Sequence, residues 1–477
     1  MLENDQGVRL ETFDDMSAEA VGFFTRLLGA KDPNVLPFSV ELLQGLQQAS
    51  LSAAAREDLV RRVTIDEIRS ALFSQDCPVC NSGHTGRLDS RPSGWISFNR
   101  VDGPRQSVSW LVLSVNGANL NLPPCAFPAI YNFGDSNSDT GGISAAFEPI
   151  RAPYGVPYFH KPSGRDCDGR LIIDFIAERV KLPYLHAYLN SLGANFRHGA
   201  NFATGGSTIR RPNETIYQYG ISPFSLDMQV VQFEQFKARA AEMYNHAKNP
   251  SEKAILPRPE DFAKALYTFD IGQNDLSVGF RHLSFDQLRA ELPDMITQLA
   301  SAVQRLYKQG GRTFWIHNTG PIGCLPVNFF YILKPDPGYV DQYGCVKQQN
   351  EIAMEFNRQL KDRIIKLRTE LPEALITHVD VYTAKITMIA NAKNLGMADP
   401  LKPCCGYHVN YDHVWCGNKA IVNKTEVFGA SCKTPTAFVS WDGVHYSQVA
   451  NQYVADRTLN GSLSDPAIPI TRACRKQ

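Results

Sequence analysis

From about residue 125 onward, short apolar runs alternate with long stretches of helical periodicity, and this alternation restricts the chain to very few folds. The runs at 129–133, 200–204, 265–271, 312–317 and 374–381 are strand-like, with aromatic and β-branched residues in most of them. Between them, residues 171–180, 226–246, 285–309 and 340–371 carry the spacing of helices with one buried face. Helices of that length join consecutive strands in parallel, through right-handed crossovers. Residues 125–477 are therefore expected to form one α/β domain around a central parallel sheet.

The first run leads into Phe133-Gly134-Asp135-Ser136-Asn137-Ser138-Asp139-Thr140-Gly141-Gly142. Gly134 stops the strand, so Ser136 falls at a strand's C-terminal end, where open α/β sheets bind ligands. A hydroxyl there is a candidate nucleophile, although Gly-Asp-Ser is also ordinary turn chemistry. A nucleophilic serine needs a base, a group that orients the base, and donors for the developing oxyanion. Ser440-Trp441-Asp442-Gly443-Val444-His445 sets a carboxylate and an imidazole three positions apart, so that Asp442 can hold Nδ1–H and turn Nε2 toward the serine. Taken alone, Asp-x-x-His reads as a cap or a surface pair. Asp270-Ile271-Gly272-Gln273-Asn274-Asp275 closes another strand at the same sheet edge and offers the Asn274 amide, which in isolation is turn or cap chemistry. Gly199-Ala200-Asn201-Phe202-Ala203-Thr204-Gly205-Gly206 ends in glycines, which let a backbone N–H approach a substrate or simply let the chain turn.

In this order and sheet position, the four segments resemble the plant GDSL esterase/lipases of the SGNH hydrolase superfamily, over about residues 125–465. The resemblance implies a flavodoxin-like three-layer α/β/α SGNH hydrolase fold, with Ser136 as nucleophile, His445 as base and Asp442 as its orienter. It also implies an oxyanion hole made of the Ser136 N–H, the Gly206 N–H and the Asn274 side chain; Gly205 fits the second position as well. Asn137 stands where the family usually has Leu. Pro153-Tyr154-Gly155-Val156-Pro157-Tyr158-Phe159 and Asp168-Gly169-Arg170-Leu171-Ile172-Ile173-Asp174-Phe175 are similar to the branch holding early-nodulin-like proteins, latex esterases, acetylesterases of alkaloids and cardiac glycosides, and proteins labelled α-L-fucosidase. A disulfide between Cys324 and Cys345 is implied, with two more among Cys404, Cys405, Cys416 and Cys432. His408 and His413 then belong to a disulfide-pinned loop rather than to a metal site. The implied reaction is hydrolysis of acetyl or short-acyl esters of glycosides or plant metabolites through an acyl-enzyme, without metal or cofactor, on a small-molecule or carbohydrate ester. Two alternatives stand beside it. An α-L-fucosidase-like glycosidase needs a carboxylate pair flanking the bond, and the sequence offers only Asp442 beside Ser136. A catalytically silent carbohydrate-binding protein of the same fold would have no reason to keep all four segments.

Lys+Arg and Asp+Glu both number 48, so no nucleic-acid partner is expected, and no apolar run is long enough to span a bilayer. Of the 11 cysteines, nine follow Pro124, and sequons stand at Asn213, Asn423 and Asn460. Both features suggest disulfides, glycosylation and an extracellular enzyme. Met1-Leu2-Glu3-Asn4-Asp5 lacks the basic and apolar regions of a signal peptide, while residues 110–115 read either as the tail of one inside the chain or as a plain strand. Residues 1–75 are expected to form a mostly helical extension, with a capping box at Thr64-Ile65-Asp66-Glu67. Their wording resembles the linker ahead of the reverse transcriptase in plant non-LTR retroelement polyproteins. Residues 76–124 follow as a linker, in which Cys77, Cys80 and His84 supply three zinc-type ligands where a closed site takes four. A real fusion without a leader implies a cytoplasmic enzyme with reduced cysteines.

Overall fold

The computed structural model describes residues 124–474, apart from 213–219, 331, 333 and 334, and in the N-terminal region only Leu2–Glu3 and Arg9–Leu10. Those four residues pair as antiparallel strands, where the sequence predicts helix. The other expectations for residues 1–123, namely the capping-box helix, the linker and the Cys77, Cys80, His84 triplet, lie outside the described residues. The chain divides into two units, Met1–Leu113 and Ser114–Gln477, and the second holds the α/β fold.

Five parallel strands form the sheet: β1 (Ile130–Gly134), β2 (Gly199–Asn201), β3 (Leu266–Asp270), β4 (Thr313–His317) and β5 (Leu375–Val379). Their spatial order is β2-β1-β3-β4-β5, with Ser464–Asp465 added antiparallel outside β5. This is the flavodoxin-like order. The chain reverses direction across the sheet between β1 and β3, and the crevice at such a reversal is where this class of sheet binds its ligands. Every residue of β1, β3 and β4 is buried, as expected for strands covered on both faces.

The covering helices are α1 (Ile172–Arg179), α2 (Leu226–His246), α3 (Gln273–His282), α4 (Phe285–Lys308), α5 (Lys347–Glu370), α6 (Val381–Ala390) and α7 (Gln448–Thr458). α4 packs on α2 and α5, and α7 packs on α1 and α6. Alternation along β1 explains how the strand is held. Tyr131 and Phe133 point to one face, where both rings meet Phe233 of α2 edge-on at 5.1 and 5.8 Å between centroids. Asn132 points to the other face. Its amide nitrogen donates to Asn201 Oδ1 of β2 at 2.7 Å and to Ser138 Oγ at 3.0 Å, while its oxygen accepts from Thr268 Oγ1 of β3 at 2.7 Å. A buried amide with each of these contacts fixes three neighbouring segments at once.

Four disulfides staple the described residues: Cys324–Cys345, Cys404–Cys432, Cys405–Cys416 and Cys125–Cys474. The last was not anticipated. α5 also starts later than its apolar pattern suggests. Cys345 is held in a turn by its bond to Cys324, and its N–H donates to Asp341 Oδ1 at 3.0 Å, so the helix begins only at Lys347.

Candidate active site

The turn after β1 tolerates no side chain at Gly134, because a Cβ there would stand 2.4 Å from Asp270 O and 2.5 Å from Ser138 Oγ. Asp135 N–H donates to Asp270 O at 3.1 Å, and Ser138 and Asp139 N–H both fold back onto Asp135 O at 3.0 Å. This tight turn delivers Ser136 to the sheet's C-terminal edge, beside the β1/β3 crevice. Ser136 Oγ lies 2.8 Å from His445 Nε2, and His445 Nδ1 lies 2.7 Å from Asp442 Oδ2.

The three-residue spacing of Asp442 and His445 works through a local turn. Asp442 Oδ1 accepts the N–H groups of Val444 at 2.9 Å and His445 at 2.8 Å, which leaves Oδ2 for the imidazole. Oδ2 also accepts the Tyr154 hydroxyl at 2.9 Å. Burial raises the Asp442 pKa, but the His445 charge and these hydrogen bonds outweigh it and hold the carboxyl below its ordinary range. For His445, burial acts to lower the pKa, yet the Asp442 carboxylate and then Asp166 prevail and lift it to about 9.

Asp139 organises the second glycine segment. Its Oδ1 accepts Gly141 N–H at 2.8 Å and Gly142 N–H, and its Oδ2 accepts Ile143 N–H at 2.9 Å and Gly205 N–H at 2.8 Å. The Gly205 donor is therefore committed. Gly206 has φ 77°, and a Cβ on it would meet Gly220 O at 2.5 Å, so only glycine fits. Among the described residues neither Gly206 N–H nor Ser136 N–H donates to a protein atom. Asn274, in the first turn of α3, gives one amide hydrogen to Ser207 O at 2.9 Å and retains a second. The neighbouring Asp275 carboxylate accepts Ile209 N–H at 2.8 Å and Arg210 N–H at 3.2 Å, which ties α3 to the glycine segment.

Sequence reasoning missed three residues here: Tyr154, Asp139 and Asp166. Asp139 had a readable signal, an acidic residue directly ahead of Thr140-Gly141-Gly142, where it can cap the following turn. No spacing connects residues 154 or 166 with residues 442–445. Burial, opposed by the His445 charge, lifts the half-buried Asp166 carboxyl to about 7, and its side chain makes no hydrogen bond among the described residues. Behind the nucleophile, burial and the neighbouring Asp270 lift Asp135 to about 7, and Asp270 Oδ2 lies 3.0 Å from His317 Nδ1.

The remaining expected positions lie elsewhere. Asn423 and Asn460 are exposed, the former at the tip of the hairpin Lys419–Val422 with Thr425–Phe428, and Asn213 is outside the described residues. His408 and His413 face each other across another hairpin with Nδ1 atoms 3.4 Å apart, and the Phe330 ring stacks on His408 at 3.8 Å. No cluster of three metal-binding side chains occurs among the described residues. No helix among them is long and apolar enough to cross a membrane.

The GDSL-like Lipase/Acylhydrolase family model matches residues 130–458. This chain belongs to that family. An Arabidopsis thaliana GDSL esterase/lipase is 68% identical over 372 residues, covering 77% of this chain and 96% of that protein. A Zea mays GDSL esterase/lipase named ACHE is 49% identical over 360 residues, 74% of this chain and 90% of its own length. A protein named Alpha-L-fucosidase 3 from Arabidopsis thaliana is 48% identical over 374 residues, 77% of this chain and 97% of its own. The GDSL hydrolase described here is accordingly an enzyme that acts on carboxylic esters, with the SGNH fold.

Proposed function

We propose that this GDSL hydrolase cleaves acetyl or short-acyl esters of glycosides or plant metabolites through an acyl-enzyme on Ser136. The observation that carries the reading is the hydrogen-bonded line from Ser136 Oγ through His445 to Asp442, at 2.8 and 2.7 Å. Ser136 Oγ attacks the ester carbonyl as Nε2 takes its proton. The oxyanion receives the N–H groups of Ser136 and Gly206 and the free amide hydrogen of Asn274. His445 then returns the proton to the departing alcohol. Water attacks the acyl-enzyme, with the same imidazole as base, and restores Ser136.

The glycosidase alternative is weaker on these geometries. Asp139 already accepts four N–H groups and Asp442 four donors in all, and Asp135, whose Oδ2 has no partner, is fully buried, so of these carboxylates near the serine only the half-buried Asp166 is both open and accessible. Cleavage of a glycosidic bond by the usual route takes two. The four disulfides support an extracellular location, with Asn423 and Asn460 accessible to glycosylation. The test uses a fluorophosphonate probe and two chromogenic substrates. Ser136 becomes labelled, Ser136→Ala loses both labelling and turnover, and p-nitrophenyl acetate is hydrolysed while p-nitrophenyl fucoside is not. Labelling that persists in Ser136→Ala, or turnover of the fucoside alone, overturns the assignment.

A further inference from the structure

The segment 151–174, which follows the nucleophile's turn, grips the loop of Asp442 and His445 at two points. On the near side of His445, the Tyr154 hydroxyl donates to Asp442 Oδ2 at 2.9 Å. On the far side, Gln448 N–H donates to Asp168 Oδ1 at 2.6 Å, and Gln448 Oε1 accepts Arg170 N–H at 2.9 Å. The segment is itself rigidly held. Gly155 N–H donates to Cys167 O at 2.8 Å, and the Arg165 guanidinium makes a two-point contact with the buried Asp174 carboxylate at 2.8 and 2.6 Å.

An ionised carboxylate offers about four acceptor sites, and those of Asp442 meet four donors. Three of them, Val444 N–H, His445 N–H and His445 Nδ1–H, belong to the same loop and move with it. Tyr154 is the donor from outside the loop, 288 residues away in sequence. Cys405 N–H and Val327 N–H tie the loop's backbone at Trp441 O and Gly443 O, at 2.7 and 3.0 Å, but these bonds do not reach the Asp442 carboxylate, on which Tyr154 is the donor from another segment. We propose that Tyr154 is a positioning residue of this hydrolase: its hydroxyl anchors the Asp442 oxygen that holds His445, and so aims Nε2 at Ser136.

The ring of Tyr154 packs edge-on against the buried Trp441, with centroids 5.9 Å apart. This packing survives in Tyr154→Phe, which removes only the hydroxyl. The inference rests on the acyl-transfer reading above and deepens it. Tyr154→Phe should stay folded, with a melting temperature within a few degrees of wild type. Its kcat and its rate of fluorophosphonate labelling should fall about tenfold, the size of one hydrogen bond to a charged group, with KM little changed.

The pH profile gives a readout that a purely structural role would not move. The hydroxyl turns its hydrogen toward Oδ2 and draws off part of the negative charge; without it the imidazolium is held more tightly, and the acid limb of kcat/KM shifts to higher pH. The other ionisable groups that face His445 are Asp442, Asp166 and Asp135, and all three remain in the variant. In an Asp442→Ala background the anchoring oxygen is gone, so adding Tyr154→Phe should cost nothing further. A wild-type rate with an unshifted limb overturns the inference, as does a full tenfold loss in the Asp442→Ala background. If wild-type Ser136 is not labelled at all, the acyl-transfer reading fails instead; equal labelling rates in wild type and Tyr154→Phe defeat only the role of Tyr154.

Discussion

Asn274 gives one amide hydrogen to Ser207 O and keeps a second, which makes it the separable member of the proposed oxyanion hole. Asn274→Ala should fold normally and lose about two to three orders of magnitude in kcat; a rate within a factor of two of wild type would reduce Asn274 to a helix-end residue. His445 accepts the serine proton only when neutral. Because Asp442 and Asp166 lift its pKa to about 9, kcat/KM should rise with pH well beyond the ordinary histidine range of about 6.5 and level off only above it. Asp166→Asn removes one of the charges that favour the imidazolium, so the limb should move to lower pH; a rate-versus-pH series on p-nitrophenyl acetate measures both. That Ser136, His445 and Asp442 come together was readable in the sequence because each follows a strand or sits in a tight turn whose chemistry is local. The choice between Gly205 and Gly206 was not readable, since it turns on Asp139 reaching across from another strand end to take the Gly205 N–H. The same holds for Tyr154 and Asp166, whose partners lie almost 300 residues away along a chain that folds back on itself.

At the scale of elements, β1 is held by aromatic packing on one face and by Asn132 on the other. Phe233 of α2 touches Tyr131, Phe133, Phe202 and Tyr267 and is fully buried. Phe233→Ala should therefore destabilise the fold by about 3–5 kcal/mol, read as a lower urea midpoint, while the fraction that remains folded keeps the active-site distances and its kcat. A variant of unchanged stability would mean that α2 does not support β1. β1, β3, β4 and β5 follow their apolar runs because both faces of the sheet are covered, and α2 and α4 follow the helical spacing because each buries one face along its length. α3, α6 and α7 escaped the pattern. They are only 10, 10 and 11 residues long, and each starts at a turn whose capping residue, Gly272, Asp380 or Ser447, reads more naturally as loop. The two hairpins between Cys405 and Cys432 escaped too, since their strands are three or four residues long and disulfides, rather than a buried face, hold them in place.

At the scale of the molecule, the family match begins at residue 130, and the hydrolase unit joins its own two ends through Cys125–Cys474. We propose a functional boundary near residue 125, a little beyond the division between the two units, which would leave residues 1–75 and 76–124 dispensable for catalysis. A chain starting at Asn119 behind a secretion signal should match the full chain in specific activity and melting temperature, and a loss of several degrees would instead show that the removed residues dock on the hydrolase. The Cys125–Cys474 bond spans 349 residues, so its removal frees a very long stretch of unfolded chain. Cys125→Ser with Cys474→Ser should lower the melting temperature by several degrees and leave kcat unchanged, because the bond lies ahead of the N-terminal end of β1 while Ser136 follows its C-terminal end. The same bond makes the hydrolase unit a covalent ring. A protease that cuts one exposed tip spanned by no other described disulfide, such as the Leu192-Gly193 turn, opens the ring without releasing a fragment. The nicked unit would run as a single species on a non-reducing gel and part into two only when the disulfides are reduced, and the tethered pieces would keep Ser136 and His445 on one molecule throughout.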